Sequence, residues 1–267
     1  MADPYAHTLP TSVPTMNSMC RSTLLLRKTA SQRLRLFLLP FAGAGASAFR
    51  AWPAALPPDI EIYALQPPGR ENRIAEPPLG SLMDLVHALA DDIGGLVLEP
   101  FAFFGHSMGA LVAFELSREL RRRGQNEPVH LVVSGFRAPH LPPRQPALHR
   151  LADDSLIDEL RGLGGTPPEI FDQPDLLDLV LPTLRADLAI SETYHYRSEP
   201  PLSCRISAWG GRQDPYLNET ELHSWSATTS GPFAVQRFNG GHMYIVTASA
   251  ALAQRLGETL AETPGPT

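Results

Sequence analysis

The stretch from Phe101 to Arg123 constrains this chain more than any other. A short apolar run, FAFF, passes directly into Gly105-His106-Ser107-Met108-Gly109 and then into the helix-period run ALVAFELSRELRRR. Consecutive apolar residues of this length suit a strand buried on both faces. The run that follows has apolar residues at helical spacing and ends with basic residues at the negative end of the helix, then Gly124 as a stop. The pentapeptide between them fits G-x-S-x-G, a serine on a tight strand-to-helix turn. Residues 105 and 109 must be small there, because side chains would collide with the adjoining strand or helix. The turn pushes the serine oxygen clear of the sheet and aims the free N–H groups of the helix start towards it. Five letters alone could mark an ordinary strand-to-helix turn; the flanking strand and helix give them their meaning.

The same alternation runs along most of the chain. Leu34–Leu39, Ile60–Leu65, Phe101–Phe104, Val129–Ser134, Arg205–Trp209 and Phe233–Phe238 are short, apolar and rich in β-branched or aromatic residues, as buried strands are. Leu82–Leu98, Ala110–Arg123, Glu219–Ala227 and Met243–Leu260 carry the helical period between and after them. Strands alternating with helices predict a mostly parallel central sheet flanked by helices. With the serine elbow, this is the α/β-hydrolase fold. Residues 31–139 and 197–262 are expected to form its core. From 140 to 196 no strand is evident, only helical stretches broken by Gly164-Gly165 and Pro167-Pro168, so this segment is expected to be a helical lid insertion over the site. A fixed structural cap is the alternative. Residues 1–30 lack a sustained period and are expected to be an unordered extension, and 263–267 a flexible tail.

An apolar fraction of 43% over 267 residues suits one well-buried catalytic domain, and a formal charge of −6 argues against nucleic-acid or anionic-membrane binding. Cys20 and Cys204 have no His or Cys partner at metal-binding spacing. No run reaches the roughly 18 to 20 apolar residues of a membrane span, and no secretory signal is evident. The expectation is a cytoplasmic, monomeric enzyme.

A serine hydroxyl needs a base, and in this fold the acid follows the nucleophile in sequence and the histidine comes last. Among the histidines after Ser107 (His130, His140, His149, His195, His223 and His242), only His242 lies just beyond the last predicted strand, in Asn239-Gly240-Gly241-His242. It is the expected base. Seven aspartates of the insertion, Asp187 among them, read more simply as solvated helix charges. Asp214 instead leaves a strand end through Gly210-Gly211-Arg212-Gln213, and is expected to accept the Nδ1 proton of His242 and orient the ring. His106, next to the nucleophile, is assigned to packing. The backbone N–H groups of Met108 and Ala42 are the expected oxyanion donors, Ala42 from the small-residue loop after the first core strand. That loop, GAGAS, lacks the Lys-Ser/Thr of a phosphate loop and a full G-x-G-x-x-G, so nucleotide binding is discounted.

Seven segments in order, LLPFAGAGASAFRAW, QPPGRENRIAEPP, FFGHSMGAL, SGFRAP, LRADLAISETYHY, WGGRQDP and FNGGHMYI, resemble the type II (external, editing) thioesterases of polyketide and nonribosomal peptide synthesis. The resemblance implies a catalytic triad of Ser107, Asp214 and His242, oxyanion amides at Ala42 and Met108, and no cofactor or metal. It also implies the substrate, an acyl group on the phosphopantetheine arm of an acyl or peptidyl carrier protein. One departure lies directly before Pro68-Gly69-Arg70, where the family commonly has leucine or isoleucine and this chain reads Gln66-Pro67-Pro68-Gly69-Arg70. That segment is expected to be a surface loop whose Arg70 and Arg73 either meet an anionic partner or are solvated. A product-releasing thioesterase, a general carboxylesterase or lipase, and a catalytically idle binding module are the rival readings.

Overall fold

The computed structural model describes residues 21–98, 100–142, 147–166 and 168–262. Chain order runs β1 (Thr23–Arg27), β2 (Leu34–Leu39), β3 (Ile60–Leu65), α1 (Leu82–Ile93), β4 (Phe101–His106), α2 (Met108–Arg122), β5 (His130–Ser134), α3 (Asp153–Leu163), α4 (Pro168–Phe171), α5 (Pro174–Glu192), β6 (Arg205–Gly211), α6 (Glu219–His223), β7 (Phe233–Phe238), α7 (Tyr244–Thr247) and α8 (Ser249–Ala261). The strands form one seven-stranded sheet in the order β1-β3-β2-β4-β5-β6-β7. Only β1 is antiparallel, against β3; every other pairing is parallel. This is the mostly parallel, helix-flanked sheet that the alternation predicts.

Alternation along each strand divides the core. Phe37, Leu39, Phe101 and Phe103 point to the face covered by α1 and α2, while Leu36, Leu38, Ala102 and Phe104 point to the face covered by α8. Phe101, Phe103 and Phe104 are essentially inaccessible, each worth about 2–3 kcal/mol of burial. The strand after which the serine turn is built is therefore held from both sides.

Two expectations need correction. Residues 23–27, placed in an unordered extension, form edge strand β1, with Thr23 opposite Leu65 and Leu25 opposite Tyr63. The run TLLLR is too short and too half-exposed to show a clear period, and gains its order from the ladder with β3. Residues 1–20 and 263–267 lie outside the described residues. The expected helix from Met243 is broken at Ala248, whose φ of −122° ends α7 before α8 begins.

The segment between β5 and β6 is helical, with α3, α4 and α5 enclosing a small apolar cluster of their own: Leu156, Leu160, Phe171, Leu181 and Leu184. Helix α5 is fastened to neighbouring segments. Glu192 accepts from the amides of Leu148 and His149 at 2.9 and 3.0 Å, and Thr183 Oγ1 donates to Gly69 O at 2.8 Å.

The basic end of α2 is neutralised by its surroundings. Arg118 pairs with Glu115 and Glu199, Arg121 with Glu127 and Glu199, Arg122 with Glu115, Glu119 and Glu199, and Arg123 with Asp91 and Glu119. No helix among the described residues is long and apolar enough to cross a membrane.

Candidate active site

Ser107 follows the last residue of β4 and precedes the first of α2, with φ 53° and ψ −119°, an uncommon conformation for a residue with a side chain. Sterics make the two glycines obligatory. A Cβ on Gly105 would lie 2.1 Å from the Gly109 carbonyl oxygen, and one on Gly109 would lie 2.3 Å from the Leu39 carbonyl oxygen. Both obstacles are backbone.

Residues far apart in sequence converge on that oxygen. His242 Nε2 lies 3.0 Å from Ser107 Oγ across 135 residues of chain, and His242 Nδ1 lies 2.9 Å from Asp214 Oδ2 across 28. A carboxylate only accepts, so Nδ1 carries the proton and Nε2 is left to accept the serine hydroxyl. That is the tautomer in which an imidazole can take a proton from a hydroxyl. Asp214 is buried and set by the loop after β6, its Oδ1 accepting from the Tyr216 amide at 2.8 Å. The Tyr216 ring packs edge-on against His242 at 5.8 Å between centroids.

Met108 opens α2, so its N–H has no intrahelical acceptor and stands beside Ser107. Ala42 shares with Ser107, His242 and Met243 the walls of a cavity of about 70 Å³, lined also by Leu160 and Leu163 of α3 and Leu184 and Leu188 of α5. Among the described residues no hydrogen bond occupies the Ala42 N–H. All five site residues expected from the sequence thus gather at the carboxyl ends of β2, β4, β6 and β7.

Sequence reasoning missed what holds them. Arg70, expected on a surface loop, is buried, and grips Asp187 of α5 through two contacts of 2.5 and 2.8 Å. Asp187, expected to be solvated, is buried as well and also accepts from the Gly43 amide at 2.7 Å. Gln66 is buried too: its Oε1 accepts from the Ala46 amide at 2.5 Å and its Nε2 donates to Arg70 O at 3.1 Å. Gln66 is thus a polar tie between its own segment and the loop carrying Ala42. Arg73 pairs with Glu76 at 2.6 Å and donates to Gln66 O. The clue available in the sequence was position. Asp187 lies three residues after Leu184 and one before Leu188, on the apolar stripe of its helix, where a charge needs a buried partner.

His106 does more than pack. Its Nε2 donates to the His242 carbonyl at 3.1 Å, which leaves Nδ1 to accept from the Ser134 hydroxyl at 2.9 Å; Ser134 in turn hydrogen-bonds Tyr244. Burial, and then the nearby His242, hold the His106 ring well below the ordinary histidine pKa, so it stays neutral and keeps this donor–acceptor pattern. Cys204 is buried, and burial pushes its thiol up to about 12.

A serine elbow at the carboxyl edge of a mostly parallel sheet, with acid and histidine arriving from later strand ends, defines an α/β-hydrolase. Within that class the chain belongs to the thioesterase family, whose Thioesterase domain model matches residues 34–260. Gramicidin S biosynthesis protein GrsT of Aneurinibacillus migulanus is 42% identical over 216 residues, covering 81% of this chain and 84% of that protein. The solved structure of the type II thioesterase BorB, from the borrelidin biosynthetic cluster, matches with a TM-score of 0.81 at 37% identity, covering 90% of this chain and 97% of BorB. YbtT, the type II thioesterase from the yersiniabactin NRPS/PKS pathway, matches with a TM-score of 0.79 at 32% identity, covering 89% and 97%.

Proposed function

We propose that this thioesterase hydrolyses acyl groups from the phosphopantetheine arm of acyl or peptidyl carrier proteins, clearing aberrant or stalled units from a polyketide or nonribosomal peptide synthase. The single observation that carries the chemistry is the unbroken Ser107–His242–Asp214 hydrogen-bond chain at the base of a leucine-walled cavity.

In this reading Ser107 Oγ passes its proton to His242 Nε2 and attacks the thioester carbonyl. The developing oxyanion lies between the N–H groups of Met108 and Ala42, each worth roughly 3 kcal/mol of transition-state stabilisation. His242 returns the proton to the departing thiolate, and Asp214 stabilises the imidazolium in between. Water then repeats the attack on the acyl-serine and frees the carboxylic acid. Helices α3 to α5 serve as the lid. The cavity they leave is well below the roughly 300–1,000 Å³ of drug-sized ligand pockets, which favours short acyl units unless those helices shift. Editing rather than product release is supported by the likeness to type II thioesterases of such pathways.

The test is hydrolysis of a graded acyl series on a carrier protein, beside matched oxygen esters, by the wild type and Ser107→Ala. Short acyl thioesters should be preferred, and turnover should fall by about 10⁶-fold in the variant, the scale of loss when a triad serine is removed. A folded Ser107→Ala protein with near-normal turnover would end the assignment. Equal rates on the oxygen esters would favour a general esterase.

A further inference from the structure

Helix α5 presents two sets of side chains to the site. Leu184 and Leu188 form part of the wall of the cavity beside Ser107, and Asp187, between them in sequence, is buried against the loop that carries Ala42. Both carboxylate oxygens of Asp187 are engaged. Oδ1 accepts from Arg70 Nη2 at 2.8 Å; Oδ2 accepts from Arg70 Nη1 at 2.5 Å and from the Gly43 amide at 2.7 Å. Arg70 spends its remaining donors on backbone of the same two loops, reaching Ala44 O at 3.1 Å and Pro68 O at 3.1 Å. Gly43 has φ +78°, and a Cβ there would sit 2.4 Å from Leu184 Cδ2. The residue after Ala42 is thus bonded to a carboxylate, and its space for a side chain is taken by a leucine, both belonging to α5.

The peptide plane matters here. An amide donor stabilises an oxyanion only when aimed at where that charge forms, and misplacement by about 1 Å can cost 10²-fold in rate. Fixing the Gly43 N–H restrains the backbone immediately after Ala42, and with it the direction of the Ala42 N–H.

Building on the functional reading above, we propose that Asp187, clamped by Arg70, is a positioning residue that sets the oxyanion geometry at Ala42 and makes the acyl-pocket wall and the oxyanion loop one mechanical unit. It touches no reacting atom. Its effect should therefore appear in the transition state rather than in substrate binding.

The decisive variant is Arg70→Met combined with Asp187→Leu, which removes both charges together and leaves neither buried alone. Its kcat on a short acyl thioester should fall about 10- to 100-fold with KM changed less than about threefold. An alkyl trifluoromethyl ketone gives the second readout. Ser107 Oγ adds to its carbonyl carbon, the hydroxyl proton passes to His242, and the carbonyl electron pair moves onto oxygen. Its inhibition constant should weaken by the same factor as kcat/KM. Asp187→Asn, which keeps an acceptor towards Gly43, should lose less on both measures. A folded double variant with wild-type kcat and inhibition constant would overturn the proposal. Should the double variant not fold, amide hydrogen exchange in the unaltered protein decides: Gly43 should exchange slowly despite lying on an exposed loop, and exchange at the rate of a free loop amide would overturn it. A wild type that hydrolyses no acyl thioester would defeat the functional reading instead, and the Gly43 exchange rate would still judge the contact.

Discussion

The two halves of the site are held by different means. The serine side is locked by main chain: Gly105 and Gly109 sit against the carbonyl oxygens of Gly109 and Leu39, and the strand beneath is packed on both faces. The oxyanion side is held by side chains from distant segments, with Leu184 and Asp187 on Gly43, Gln66 on Ala46, and Glu71 on Ser47. Main-chain obstacles cannot rotate out of the way, whereas the end of a leucine or glutamate can. Ser107 Oγ is therefore set by the sheet itself, whereas the loop carrying Ala42 is held by side chains, two of them from an inserted helix. Rigidity in this protein is local on one side of the site and borrowed on the other.

Substitutions can break that contrast. Gly105→Ala places a methyl group on immovable backbone, so it should cost at least about 3 kcal/mol, lower Tm by about 10 °C or prevent accumulation, and abolish labelling of Ser107 by a fluorophosphonate. Thermal denaturation and labelling rate check this, and wild-type labelling would show that the elbow yields after all. Gly43→Ala meets a side chain that can turn aside, but forces alanine to a φ near +78°. It should cost about 1–2 kcal/mol, leave the protein folded and reduce kcat about tenfold, read by denaturant unfolding and steady-state kinetics.

The remaining effect is one of pH. His130 is buried and hydrogen-bonded to Ser207, and burial with the nearby Arg205 lowers its pKa to about 3; His106 is lowered as well. Unfolded, both would titrate near 6.5. Between that value and their folded values the unfolded chain binds more protons, so stability falls as pH drops below about 6.5, by up to about 1.4 kcal/mol per pH unit for each ring. Urea unfolding at successive pH values measures the slope, and NMR should show both rings neutral down to pH 5. Protonation of His106 at pH 6 would mean that Nδ1 does not accept from the Ser134 hydroxyl as described.

The same contrast explains what could be read in the letters. The elbow is contiguous: strand, turn glycines, serine and helix follow one another from Phe101 to Arg123, so every constraint on Ser107 is visible in one window. His242 and Asp214 were found because each follows a strand end, a rule of position rather than of contact. The Arg70–Asp187 clamp spans 117 residues, and no short window contains both partners. Asp187 stood among other insertion aspartates that face water, and only its place on the apolar stripe set it apart. Strand β1 escaped for a related reason, since its order comes from a neighbour rather than from its own pattern.

The arginine-rich end of helix α2 bears on how an acidic protein could approach. As letters, RELRRR is a dense run of positive charge. Folded, each of its four arginines is already matched by a glutamate or aspartate of the same chain, several of them shared. A visitor carrying negative charge would have to unseat those internal counterparts before gaining anything on that flank, and added salt would loosen the exposed pairs before it exposed a bare cation.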